Sequence, residues 1–182
     1  RASVDRQTAL ALLAQEHESV FALIAQQTAE EMTEPDTIHY GLYSDQTWSF
    51  KDLLAHLITY EAHALDALRA WQQGQKHWVT GAMRSPSESI QIHYGGVAER
   101  RHMDIQDTID SWQQTSGDLV AALQALDDSA WTQRAPYDDG DNPTDLGGML
   151  EEILVAPPRP MYRHLPVHVP DPEAYLRALR RG

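Results

Sequence analysis

The stretch Ser49–Trp71, SFKDLLAHLITYEAHALDALRAW, decides the fold. Leu53, Leu57, Ala64, Leu68 and Trp71 recur at intervals of three, four or seven residues, which places them along one stripe of an α-helix. Ser49 followed by Asp52 has the spacing of a capping box, in which each residue satisfies a backbone donor of the first turn. Gly74 ends the segment.

Upstream, the stretch from Val4 to about Glu31 carries Leu10, Leu13, Val20, Ala22, Ile24 and Ala25 at roughly helical spacing, in a background of good helix formers. It predicts one long amphipathic helix. The intervening TEPDTIHYGLYSDQT, with Pro35 and Gly41, reads as a loop. Downstream, a polar link is expected from Gln75 to Gly96, then a third long helix from Val97 to Leu126 with Met103, Ile105, Ile109, Trp112, Leu119, Val120, Leu123 and Leu126 on its apolar side. A shorter helix follows in TDLGGMLEEILVA, with Thr144 or Asp145 as N-cap, and PPRP interrupts it. The last element, DPEAYLRALRR, has Asp171 as cap, Pro172 at the first helical position and arginines where a helix C-terminus favours cations. The expectation is an all-α, up-down four-helix bundle with a short extra C-terminal helix, in a single domain over residues 1–182.

Composition limits the chemistry. Lysine and arginine number 14 against 27 acidic residues, a formal net charge of −13, so phosphate backbones and anionic membrane surfaces are repelled and no nucleic-acid or membrane partner is expected. With no cysteine in the chain, disulfides, thiolate nucleophiles and iron–sulfur clusters are excluded, and His, Asp and Glu remain as the strong metal ligands. No apolar run reaches the roughly 18 to 20 residues of a membrane span, and no signal segment opens the chain, so a cytoplasmic location is expected. The chain opens at Arg1 rather than methionine, which leaves room for a preceding piece carrying a targeting signal.

His164 and His168 stand four residues apart in MYRHLPVHVPDPEAYL. On a helix that spacing lets both imidazoles reach one ion, about 2.0 to 2.1 Å from each ring nitrogen; it equally suits two solvated histidines at the end of a bundle. His56 lies between Leu53, Leu57 and Tyr60 on the shoulder of the apolar stripe, where a side chain points into the bundle, as a core histidine or as a third ligand. His63, seven residues on, lies near the same angle. Asp52 and Glu61 flank His56 by about one turn and are candidates to orient an imidazole or accept a proton, although charges on an amphipathic helix usually face water. Tyr60 and Tyr162 suit either core packing or a pocket wall. His17, His39, His77, His93 and His102 have no paired spacing and read as ordinary.

The order WSFKDLLAHL opening the second helix, followed far downstream by YRHLPVHVPD, resembles the DinB/YfiT-like superfamily of helical proteins regarded as metal-dependent enzymes. The resemblance covers most of the chain as an architecture and implies a divalent-metal site on His56, His164 and His168. Relatives include transferases and isomerases that depend on a low-molecular-weight thiol; three neutral imidazoles around an ion would equally lower the pKa of a bound water for hydrolysis, and they suit zinc, nickel, iron or copper, with zinc or nickel expected and a small-molecule substrate. Since the chain has no cysteine, such a thiol would be external. The competing class is a non-enzymatic bundle that holds a small molecule or protects, as some relatives protect DNA from a genotoxin. The chain departs from the family pattern where Pro157, Pro158 and Pro160 break the fourth helix, and where Pro166 stands between the two histidines and kinks a continuing helix unless it lies in the first turn. Apolar faces on the first and third helices favour a homodimer.

Overall fold

The computed structural model describes residues 2–40, 47–141, 143–155 and 162–181. Among them no strand occurs, and the elements are α1 (Arg6–Ala25), α2 (Ala29–Thr33), α3 (Phe50–Gln72), a 3-10 turn (Ala82–Arg84), α4 (Pro86–Arg100), α5 (Ile105–Gln124), α6 (Asp128–Trp131), α7 (Leu146–Leu154), α8 (Leu165–His168) and α9 (Pro172–Arg181). The all-helical bundle expected from the sequence is the fold observed. Acidic and hydroxyl side chains begin most of its helices. Asp5, Ser49, Ser85, Asp104, Asp127 and Asp145 each accept a bond from a backbone N–H three residues on. Part of the net negative charge is therefore spent locally, on helix N-termini whose dipoles favour it.

Three boundaries differ from expectation. The first helix stops at Ala25, and Thr28 with Glu31 forms a reciprocal capping box that opens α2. A capping box inside a run of helix formers looks like continued helix in a pattern of apolar positions. The expected polar link at 75–96 instead contains α4, started by Ser85 as N-cap and Pro86 in the first turn. The expected helix from Val97 to Leu126 is two helices, because Asp104 caps Asp107 and restarts the chain as α5. The PPRP interruption lies outside the described residues. At the C-terminal end Asp171 accepts from Ala174 N at 3.0 Å, and Pro172 opens α9 as expected.

α3 is the central helix and packs against α4, α5 and α7, while α1 packs against α5 and α8. Gly96 of α4 meets α3 so closely that a methyl group there would overlap the Thr59 side chain. Gly95, its neighbour, faces open space. Gly96→Ala should therefore lower stability by about 1 to 3 kcal/mol, as overpacking does. Gly95→Ala should raise it by up to about 1 kcal/mol through helix propensity. Urea titration of the two variants checks the contrast.

The apolar core divides into two clusters. One gathers Ala9 and Leu13 of α1, Tyr60, Ala64 and Leu68 of α3, and Met149, Leu150 and Ile153 of α7. The other gathers Val20 and Leu23 of α1, Leu53, Leu54 and Leu57 of α3, Trp112 of α5 and Leu165 of α8. Along α1 the buried residues between the two sets are Glu16 and His17. A polar stratum thus crosses the middle of the bundle, and it contains the site.

Candidate metal centre

His56 is fully buried on α3, and His164 and His168 are each 5% exposed. His56 Nε2 lies 3.0 Å from His164 Nε2, which lies 3.1 Å from His168 Nε2. One ring nitrogen from each of the three residues falls within 4.8 Å of the others. Residues 108 positions apart in the chain thus present their imidazole edges to one point. The three histidines singled out from sequence are brought together.

Local structure explains how. Pro166 occupies the first turn of α8, where a missing N–H removes no helical bond, so the four-residue spacing keeps its helical geometry. The chain enters this turn through Tyr162, whose φ of 55° is left-handed and rare for a bulky residue. Its hydroxyl donates to Gly147 O at 3.4 Å, and its buried ring belongs to the first apolar cluster. Burial pushes the Tyr162 hydroxyl pKa upward, with Glu151 and Asp145 adding to it, so it stays a donor at neutral pH.

The donor set fits a divalent cation. His168 Nδ1 lies 2.8 Å from the Tyr40 carbonyl oxygen. A carbonyl only accepts, so this nitrogen carries the proton, and the Nε2 of a neutral His168 faces the other rings with a lone pair. Four-coordinate ligands about 2.05 Å from an ion stand roughly 3.3 Å apart, close to the observed separations. Three imidazoles leave at least one coordination position open, the pattern of a reactive rather than a sealed centre. Trp48, itself buried, lies against His56 and His168 with ring centroids 5.1 and 6.1 Å away. Tyr60 meets His56 and His164 edge-on at 4.8 and 5.2 Å. His168 also lines a cavity of about 390 Å³, together with Asp36, Tyr40, Asp171, Tyr175 and Leu179.

Of the two candidate carboxylates, Asp52 caps α3, its Oδ2 accepting from Ser49 N at 3.0 Å, as the capping box predicts. Glu61, expected to face water, is buried, and both its oxygens accept from His17 Nε2, at 2.7 and 3.0 Å. Desolvation raises its pKa, and the bond and charge of His17 oppose the rise. His17 and His93, read as ordinary, are buried too. His93 stacks on Trp48 at 5.0 Å and meets His56 edge-on at 4.7 Å, so a fourth imidazole borders the centre. Its signal was its helix, which the sequence pattern did not show. His63 lies instead with His77 and Trp78, at 6.3 and 5.2 Å. Glu16 was not singled out at all. Its oxygens take the backbone N–H groups of His164 and Leu165 at 2.8 Å each, and the Arg163 guanidinium at 3.3 Å.

The family profile of the DinB superfamily matches residues 42–155. The chain belongs to the DinB superfamily. The match includes His56 and ends before His164 and His168, whose place in the site comes from the fold. Among solved structures, an uncharacterised protein from Escherichia coli UTI89 superposes with a TM-score of 0.69 at 10% identity, over 99% of this chain and 91% of that one. The colibactin self-resistance protein ClbS, solved in complex with double-stranded DNA, superposes with a TM-score of 0.67 at 11% identity, over 97% of this chain and 94% of that one. Identities this low establish the shared fold alone. No curated protein matches the chain significantly. Among the described residues no helix is long and apolar enough to cross a membrane.

Proposed function

We propose that this DinB-superfamily chain is a divalent-metal protein in which His56, His164 and His168 hold one ion, and that it acts on a small molecule as a hydrolase or an external-thiol-dependent transferase. The observation that carries the reading is the convergence of three buried Nε2 atoms with neighbours at 3.0 and 3.1 Å. Zinc or nickel suits three imidazole donors, and such an ion supplies Lewis acidity that lowers the pKa of a bound water or thiol. The chain's own contribution is to fix the donors and exclude solvent. The Tyr40 carbonyl sets the His168 tautomer, and Trp48 and Tyr60 wall the rings. The cavity beside His168 gives a substrate an approach. The reading includes one domain over residues 1–182, a cytoplasmic location and a homodimer.

Metal analysis of untagged protein grown in metal-replete medium should find about one zinc or nickel ion per chain. Protons compete for imidazole, so occupancy should fall on acidification. Protein that stays metal-free when zinc and nickel are supplied at neutral pH would overturn the proposal. Loaded protein is then assayed on activated esters, and on electrophiles with added thiol, to separate the two reaction classes.

A second reading follows from the ClbS neighbour, which was solved with duplex DNA. A net charge of −13 opposes it here. A mobility-shift titration with duplex DNA at low salt should show no complex, and a salt-sensitive shift would favour the DNA-associated reading instead.

A further inference from the structure

We propose that Glu16 of α1 is the positioning residue for the His164–His168 clamp: its carboxylate caps α8 from another helix and holds both imidazoles in register with His56. α8 has only four residues, far fewer than a helix needs to stand alone. The N-cap position is His164, whose side chain makes no capping bond. Proline at 166 has no N–H to satisfy, so the donors left open at this start are the amides of His164 and Leu165. Both go to Glu16 Oε2, at 2.8 Å each.

The other oxygen, Oε1, accepts from Arg163 Nε at 3.3 Å, and the same guanidinium donates to Gln15 Oε1 and Ser19 Oγ at 3.2 Å each. One turn of α1 therefore grips residues 163 to 165 through backbone and side chain together. Glu16 is 3% exposed, and a carboxylate so buried needs donors to offset its lost hydration, which the two amides and Arg163 provide. Its position, between Leu13 and Val20 on the core-facing side of α1, marks it as a charge placed inward. Without this cap the two amides lose the acceptor they have, and α1 holds the segment only through Arg163 on Gln15 and Ser19, which loosens the orientation of His164 toward His56.

The inference rests on the proposed metal reading for its consequence but not for its geometry, and the test separates the two. Cobalt(II) serves as the probe, because its visible spectrum reports ligand number and geometry. In Glu16→Ala, cobalt should bind about 10- to 100-fold more weakly, the usual effect of losing an outer-shell partner, with a weakened, altered spectrum. In metal-free protein, amide hydrogen exchange at 163–169 should quicken while α3 and α5 keep wild-type protection. Glu16→Gln retains one acceptor oxygen and should fall between; if Glu16→Ala fails to fold, this variant decides by the same readouts. Wild-type affinity and spectrum in the alanine variant, or unchanged exchange at 163–169, would overturn the role. Should the wild-type chain take up neither cobalt, zinc nor nickel, the metal reading fails, and local exchange in the metal-free variants still supports or overturns Glu16 as the positioning residue.

Discussion

Replacing His56 by alanine should abolish the thermal stabilisation that zinc or nickel gives the wild-type chain. An ion that binds the folded state alone adds RT ln(1 + [L]/Kd), about 2.7 kcal/mol when the free ion is at 100 times its Kd. For a chain of this length that corresponds to a rise in Tm of roughly 5 to 11 °C. Structural zinc sites gain about 10 to 16 kcal/mol from four ligands, so one ligand carries roughly 3 to 4 kcal/mol, a loss of a few hundredfold in affinity. At the same free-ion concentration the His56→Ala variant should then show a metal-induced shift near zero. His56 is the informative choice because it is fully buried on the long central helix, whereas His164 and His168 share one short turn. Scanning calorimetry with and without ion checks it. A shift of wild-type size in the variant would mean that the ion sits elsewhere.

Much of this was legible in the sequence, and the reasons for the remainder are physical. The central helix declared itself through an unbroken apolar stripe and the Ser49–Asp52 box, and both appear as read. The histidine trio was legible chiefly through the resemblance of WSFKDLLAHL and YRHLPVHVPD to the superfamily, since spacing alone left a core histidine and a solvated pair open. α4 was not, since its buried face consists of only Ile92, His93, Gly96 and Val97, and two adjacent glycines argue against a helix. One of those glycines is what allows α4 to approach Thr59. The polar stratum was hidden for a related reason. Charges on amphipathic helices usually face water, so Glu61 looked like a surface residue, and His17, with no paired spacing, like an ordinary one, until the bundle showed them facing each other. The PPRP segment, which sequence reading placed as a helix break, lies outside the described residues.

The partner question sharpens the same point. The neighbours with this fold are about a tenth identical to the chain, and one was solved with duplex DNA. A fold shared at such identity does not fix the ligand, and function resides in what the interior carries. Here the interior carries imidazoles and two carboxylates whose pKa values burial pushes upward, Glu16 and Glu61. The two do different work. Glu16 bonds to the backbone of the ligand segment, whereas Glu61 bonds to His17 and to no ligand of the trio among the described contacts.

Glu61→Ala should accordingly cost about 3 to 5 kcal/mol of stability, because it leaves His17 buried without its acceptor and opens a hole between the apolar clusters. The metal affinity of the folded fraction should stay close to wild type, which distinguishes this residue from Glu16. Removing both partners is a different experiment. His17→Leu combined with Glu61→Met fills the space with apolar atoms and should recover most of the loss, since a buried polar pair is often replaced at little or no cost. The pH dependence follows from the direction of the shift. Folding raises the Glu61 pKa above its ordinary 4.5, so the folded state binds this proton more tightly than the unfolded state. The contribution of that proton to stability is fully present below 4.5 and is lost as pH rises through the folded value. The double variant lacks this titration, so its stability relative to wild type should improve from acid to neutral pH. Urea unfolding of the wild type, His17→Leu, Glu61→Met and the double variant, at acid and neutral pH, measures the cycle, with Glu61→Ala beside it. A double variant as unstable as Glu61→Ala would show that the pair is required by its surroundings, with Trp112 packed edge-on against His17 at 5.3 Å the first place to look.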